Sequence, residues 1–168
     1  MILGIDPGVT TAYVVRDRDD LIDRALVEDL DLTGRNVERA VDAVLSQALE
    51  LVDRHRPRIV AVEAAVAPTA YNRGKIRIID PAPIIGTAHL VGALIGIGAL
   101  TVPPDGFGDP VPDGTPPAVA RRILEASYPA DLIGARETTG RGKGPAQHLR
   151  AAWDVAGAAH LSAVRSIG

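Results

Sequence analysis

Three carboxylates occupy places in the chain where a lone charge is costly. Asp6 closes the apolar run Ile2-Leu3-Gly4-Ile5, immediately before Pro7-Gly8. Glu63 closes a second run, Ile59-Val60-Ala61-Val62. Asp154 lies within Ala151-Ala152-Trp153-Asp154-Val155-Ala156-Gly157-Ala158-Ala159. A charge in such settings is expensive unless it is paired or bound to a metal. No Lys or Arg falls within two residues of Asp6 or Glu63. If the three carboxylates converge they repel one another, and a dication is their natural partner. All-oxygen ligands suit Mg²⁺ or Mn²⁺ rather than Zn²⁺. Such a centre supports phosphodiester hydrolysis, with two ions about 3.5–4 Å apart stabilising the attacking water and the leaving 3′ oxygen. Asp6, the most central, is the expected bridging ligand. Each residue also has an ordinary reading: a turn aspartate, a distant ion pair, a solvated helix position.

The elements that must position these residues are legible in outline. Residues 2–5 read as a strand ending at Asp6-Pro7-Gly8. Thr11 to Val15 is β-branched and aromatic and reads as a second strand, and Ile22 to Leu30 as a third that completes a meander. Thr33-Gly34 opens an amphipathic helix with Val37, Ala40, Val41, Val44, Leu45, Ala48 and Leu49 on one face, stopped by Pro57. Residues 58–63 form a continuous apolar strand, as in a sheet covered on both faces. A polar, basic loop runs from Ala67 to Asp80. Pro83 to Gly98 reads as a Gly-rich helix with a broad apolar face, and Leu100 to Val102 as a short strand. Pro103 to Pro117 is loop. Thr115-Pro116 reads as an N-cap followed by Pro at the first helical position, opening a helix through Ser127. Gly134 to Pro145 is a second polar loop, and a final helix runs from Ala146 to Ser166. Three strands followed by alternating helix and strand predict an α/β fold: a mixed sheet with helices on its faces. If the first and fourth strands are parallel neighbours, Asp6 and Glu63 meet at their C-terminal ends, where open α/β sheets bind ligands.

Composition bounds what the chain can be. At 168 residues and 46% hydrophobic it predicts one domain, 1–168, with a real core. It has no Cys, which excludes a disulfide scaffold, a Cys-ligated zinc and a thiol nucleophile. No signal segment opens the sequence and no apolar stretch is long enough to span a bilayer, so a cytoplasmic protein without a membrane partner is expected. The net charge of −3 rules out a uniformly basic coat, but the charge is uneven. Residues 1–53 hold twelve Asp/Glu against five Arg; residues 54–168 hold nine against thirteen Lys/Arg. The basic half contains clusters that could follow a polyanion or be simply solvated.

At this point the sequence resembles the RuvC-type Holliday junction resolvases of the RNase H-like superfamily, in particular the small versions of bacteriophages. Residues Ile2 to Thr11 resemble the family's opening strand with its catalytic Asp. Residues Ile59 to Glu63 resemble the strand ending in the catalytic Glu, and Ala152 to Ala158 the closing helix with the last catalytic Asp. The resemblance implies an RNase H-like, mixed five-stranded sheet flanked by helices on both faces. It also implies a Mg²⁺-dependent endonuclease, with Mn²⁺ able to substitute. Acting as a homodimer without a nucleotide cofactor, it would nick two opposed strands of a four-way DNA junction, in the host cytoplasm if phage-encoded. Two symmetric nicks need two active sites related by a two-fold axis, and the helix from Pro83 to Gly98 is the expected interface. Asp6, Glu63 and Asp154 are then catalytic metal ligands. The family carries an acidic residue or His three positions before the last Asp, where this chain has Ala151; Ala12 also replaces a glycine. His148 is the nearest candidate for the missing group. Six residues before Asp154, it does not share a helical face with it, so a catalytic role puts it at or before the helix start.

Arg73, Lys75 and Arg77 follow the Glu63 strand and are expected to track the DNA backbone, as are Arg141 and Lys143 before the final helix. Tyr71, an aromatic in a basic loop of a chain only 3% aromatic, is a candidate for stacking on an unpaired base. Two other readings stay open. A non-catalytic branched-DNA-binding module of the same fold is kept alive by Ala151. One lobe of an actin-like or sugar-kinase ATPase also opens on a Gly-Ile-Asp-x-Gly-x-Thr hairpin, but that architecture needs two lobes and a second Gly-rich phosphate loop.

Overall fold

The structure, a computed structural model, describes residues 1–65, 71–72, 75–76, 81–103, 111–112, 114–133 and 144–165, the backbone alone at 71–72, 75–76, 117 and 162–165. Five strands form one mixed sheet in the order β3-β2-β1-β4-β7. They are β1 (Ile2–Asp6), β2 (Thr11–Asp17), β3 (Asp20–Val27), β4 (Ile59–Glu63) and β7 (Leu100–Val102). The first three make the expected antiparallel meander, while β4 and β7 add in parallel. Two short strands, β5 (Tyr71–Asn72) and β6 (Lys75–Ile76), pair with each other in the segment read as loop. The helices are α1 (Asn36–His55), α2 (Pro81–Gly96), α3 (Pro117–Ser127) and α4 (Pro145–Arg165), with one 3₁₀ turn, Ala130–Leu132.

Strand alternation sorts the sheet into two faces. Leu3, Ile5, Tyr13, Val15 and Val62 point to one side and pack against Val44, Ala48 and Leu51 of α1 and Leu90 and Leu94 of α2. The Tyr13 hydroxyl, wholly buried, donates to the Val44 carbonyl (2.9 Å). The other side carries Ile2, Ala12, Val14 and Ala61, and α4 covers it through Leu149, Ala152, Trp153, Val155 and Ala156. Helices therefore lie on both faces, as the continuous apolar run of β4 requires.

Gly4 lets α4 lie directly on β1. A Cβ there would meet the Ala152 carbonyl and the Ala156 backbone nitrogen, so only glycine fits. The start of α3 differs from expectation. Thr115 does not cap it: its hydroxyl donates to the Pro112 carbonyl (2.7 Å), and the helix opens at Pro117 with Pro116 at the cap position. A hydroxyl satisfied by the preceding turn is no longer free for helix amides.

Candidate active site

Register brings the first two carboxylates together. In the parallel ladder Gly4 pairs with Ala61 and Ile5 with Val62, so Asp6 and Glu63 come next at adjacent strand ends. Alternation also puts both on the α4 face, since Gly4 and Ala61 touch that side. The carboxyl groups share a hydrogen bond, and Glu63 is pushed up to about 7 by burial, by the nearby Asp6 charge and by that bond, with His148 pulling the other way.

The third member is His148. Four helix residues rise about 6 Å and two strand residues about 6.7 Å, and α4 runs antiparallel to β1. With Ala152 seated over Gly4, His148 sits over Asp6. His148 Nδ1 is 2.8 Å from Asp6 Oδ2, the imidazole donating to the carboxylate. The residue is the fourth of α4, inside its first turn and not at or before the helix start, where a catalytic role was expected to put it. The Asp6 hydrogen bond holds the imidazole above its ordinary range against the opposing effect of burial, helped by the charges of Asp6, Glu28 and Glu63.

Asp154 makes its contacts elsewhere. Tyr128 Oη donates to Asp154 Oδ2 (2.8 Å). Burial raises its carboxyl above the ordinary range, opposed by Tyr128 and by the charges of Arg16 and Arg150. Its described partners are Tyr128, Arg16 and Arg150, and not Asp6, Glu63 or His148. The reason is helical phase: six residues beyond His148, Asp154 points roughly 120° round the helix, onto the side of Arg150. Among the described residues, no group of three or more His, Asp or Glu side chains is placed to hold a metal ion.

An open cleft of about 330 Å³ fronts the carboxylates, between Asp6, Pro7 and Glu63 on the sheet and Pro83, Ile84 and Thr87 on α2. The hairpin behind it is pinned by Thr11, whose Oγ1 donates to the Gly8 carbonyl (3.0 Å) and accepts from the Gly8 amide (3.2 Å).

Two solved structures share this arrangement of elements. One is T. thermophilus RuvC in complex with Holliday junction substrate, 18% identical, covering 98% of this chain and 94% of that one at a TM-score of 0.54. The other is a Thermus thermophilus RuvC structure, 20% identical, covering 98% and 96% at a TM-score of 0.51. The fold is RNase H-like, as in RuvC. No protein-family model matches the chain, and no curated protein matches it.

The expected DNA-contacting side chains cannot be compared in the same way. Arg73, Arg77, Arg141 and Lys143 lie outside the described residues, and Tyr71 and Lys75 are described by backbone only. Residues given no site role from sequence emerge instead. Glu28, just past β3, is an exposed acid whose charge His148 feels. Tyr128, Arg16 and Arg150 surround Asp154. A signal for Glu28 existed: it lies two residues beyond Leu26, which faces α4. Among the described residues no helix is long and apolar enough to cross a membrane.

Proposed function

We propose that the chain is a structure-selective DNA endonuclease that resolves four-way junctions by paired nicks. The observation that carries this reading is the pairing of Asp6 with Glu63 and His148 at the end of β1, in a fold shared with a RuvC that binds a Holliday junction. The paired carboxylates are hard oxygen donors of the kind Mg²⁺ or Mn²⁺ takes, with no third ligand gathered among the described residues. Burial and the adjacent Asp6 charge together raise Glu63 to about 7, and a dication held by the pair would relieve the repulsion between the two carboxylates. Asp6 and Glu63 are the residues that would hold Mg²⁺ or Mn²⁺, with His148 beside them. When bound, such ions supply charge stabilisation for the attacking water and the leaving 3′ oxygen. His148 holds a proton at Nδ1 against Asp6 and so fixes the direction of that carboxylate. The cleft before them is open enough for a backbone phosphate to approach.

Two opposed nicks require two copies. The exposed Ile85 and Ile95 of α2 favour that helix as the contact between them. Tyr71, Arg73, Lys75 and Arg77, after the Glu63 strand, and Arg141 and Lys143, before α4, are the proposed DNA contacts. A second reading, a junction-binding module that does not cut, is favoured by the cluster's having two carboxylates rather than three. Incubation with a synthetic four-way junction and Mg²⁺ or Mn²⁺ separates the two, with linear duplex and RNA–DNA hybrid as controls. Paired nicks support the nuclease; binding without nicks under either ion supports the module.

A further inference from the structure

Asp154 reads in sequence as the last catalytic acid, yet its surroundings are those of a structural clamp. Around it, the residue that ends α3, the 3₁₀ turn and β2 are each tied to α4. From the 3₁₀ turn side, Tyr128 donates its hydroxyl to Asp154 Oδ2 (2.8 Å). From α4 itself, Arg150, one turn earlier and only 3% exposed, donates Nη1 to the Leu132 carbonyl (3.3 Å) and lies 5.6 Å from the Tyr128 ring. From β2, Arg16 stacks 3.8 Å from the Trp153 ring centre and donates Nη1 to the Trp153 carbonyl (3.1 Å). Gly157 leaves room for that guanidinium, since a Cβ there would stand 2.9 Å from Arg16 Nη1. These contacts fix both the rotation and the axial position of α4.

His148 lies on the same rigid helix, six residues earlier. The geometry points to Asp154 as a positioning residue: through Tyr128 it locks the rotation of α4 that seats His148 on Asp6. This rests on the endonuclease reading for its catalytic consequence, though not for its structural one. Releasing the clamp lets α4 turn, and a displacement of about 1 Å at a reacting site can cost up to about 100-fold in rate.

Three substitutions test it. Asp154→Asn keeps an oxygen that accepts the Tyr128 hydroxyl but makes a poor metal ligand. Asp154→Ala and Tyr128→Phe both remove the bond, the second by deleting a single oxygen, so it remains informative if the first does not fold. The expected result is that Asp154→Asn cleaves a four-way junction within about 3-fold of the parent, while the other two lose about 10-fold or more in turnover at saturating junction with unchanged junction affinity. The imidazole NMR signals of His148, followed in metal-free protein at one pH, should shift in Asp154→Ala and Tyr128→Phe and hold in Asp154→Asn. Loss of cleavage in folded Asp154→Asn as complete as in Asp6→Asn would make Asp154 a ligand and overturn the proposal. So would His148 signals that do not move in Tyr128→Phe. If the parent cuts no junction at all, it is the endonuclease reading that fails, and the His148 signals alone decide the clamp.

Discussion

His148 Nδ1 and Asp6 Oδ2 meet at 2.8 Å across 142 positions of sequence. The first turn of helix α4 and the C-terminal end of strand β1 are thereby joined. Replacing the imidazole separates positioning from affinity. His148→Ala is expected to cut a four-way junction at least about 10-fold more slowly while binding it equally well, because it removes a group that directs Asp6 and no phosphate contact. Single-turnover rates alongside junction titration check this. Equal slowing and weakening would place His148 in DNA binding instead.

Glu63 gives a stability signature independent of cleavage. Its folded value of about 7 lies above that of an ordinary carboxyl, so the native state holds its proton more tightly than the unfolded chain. Native stability from this group is present at low pH and falls as pH rises through about 7. Glu63→Gln removes that loss. In metal-free buffer the variant should melt above the parent at pH 8, with the gap closing towards pH 5. Mn²⁺ should raise the melting temperature of the parent and not of the variant. A parent that melts at the same temperature with and without Mn²⁺ would speak against ion binding at this pair.

Gly4→Ala tests the packing that brings His148 over Asp6. The added methyl meets the α4 backbone, and overpacking of this kind costs about 1–3 kcal/mol. Urea denaturation should show a lower midpoint. An unchanged midpoint would mean that α4 can move away from β1 freely.

How much of this was legible in the sequence depended on the element. Asp6 and Glu63 could be found because each ends a short apolar strand, and alternation with parallel register did the rest. The orientation of α4 could not be read. Alanines at 151, 152, 156, 158 and 159 leave the helix apolar on several sides, so periodicity does not say whether the face of His148 or that of Asp154 meets the sheet end. The decision is made by Gly4 and by Tyr128, a long-range contact and a residue of a different element. The capping of α3 escaped for a similar reason, because the competing Pro112 carbonyl is a property of the turn's shape and not of residue type.

The basic segment after β4 carries the proposed DNA path. Neutralising Arg73 and Lys75 together should weaken junction binding and lower the salt slope by about 2, roughly one per phosphate contact. Titrations at several salt concentrations measure it. A slope equal to that of the parent would move the path to another surface.

The most direct test compares the parent with Asp6→Asn on a synthetic four-way junction in Mg²⁺ or Mn²⁺. The account predicts symmetric paired nicks by the parent, little cutting of linear duplex, and a loss of at least about 100-fold in the variant with junction binding retained. Cleavage by Asp6→Asn at the parent's rate would contradict it.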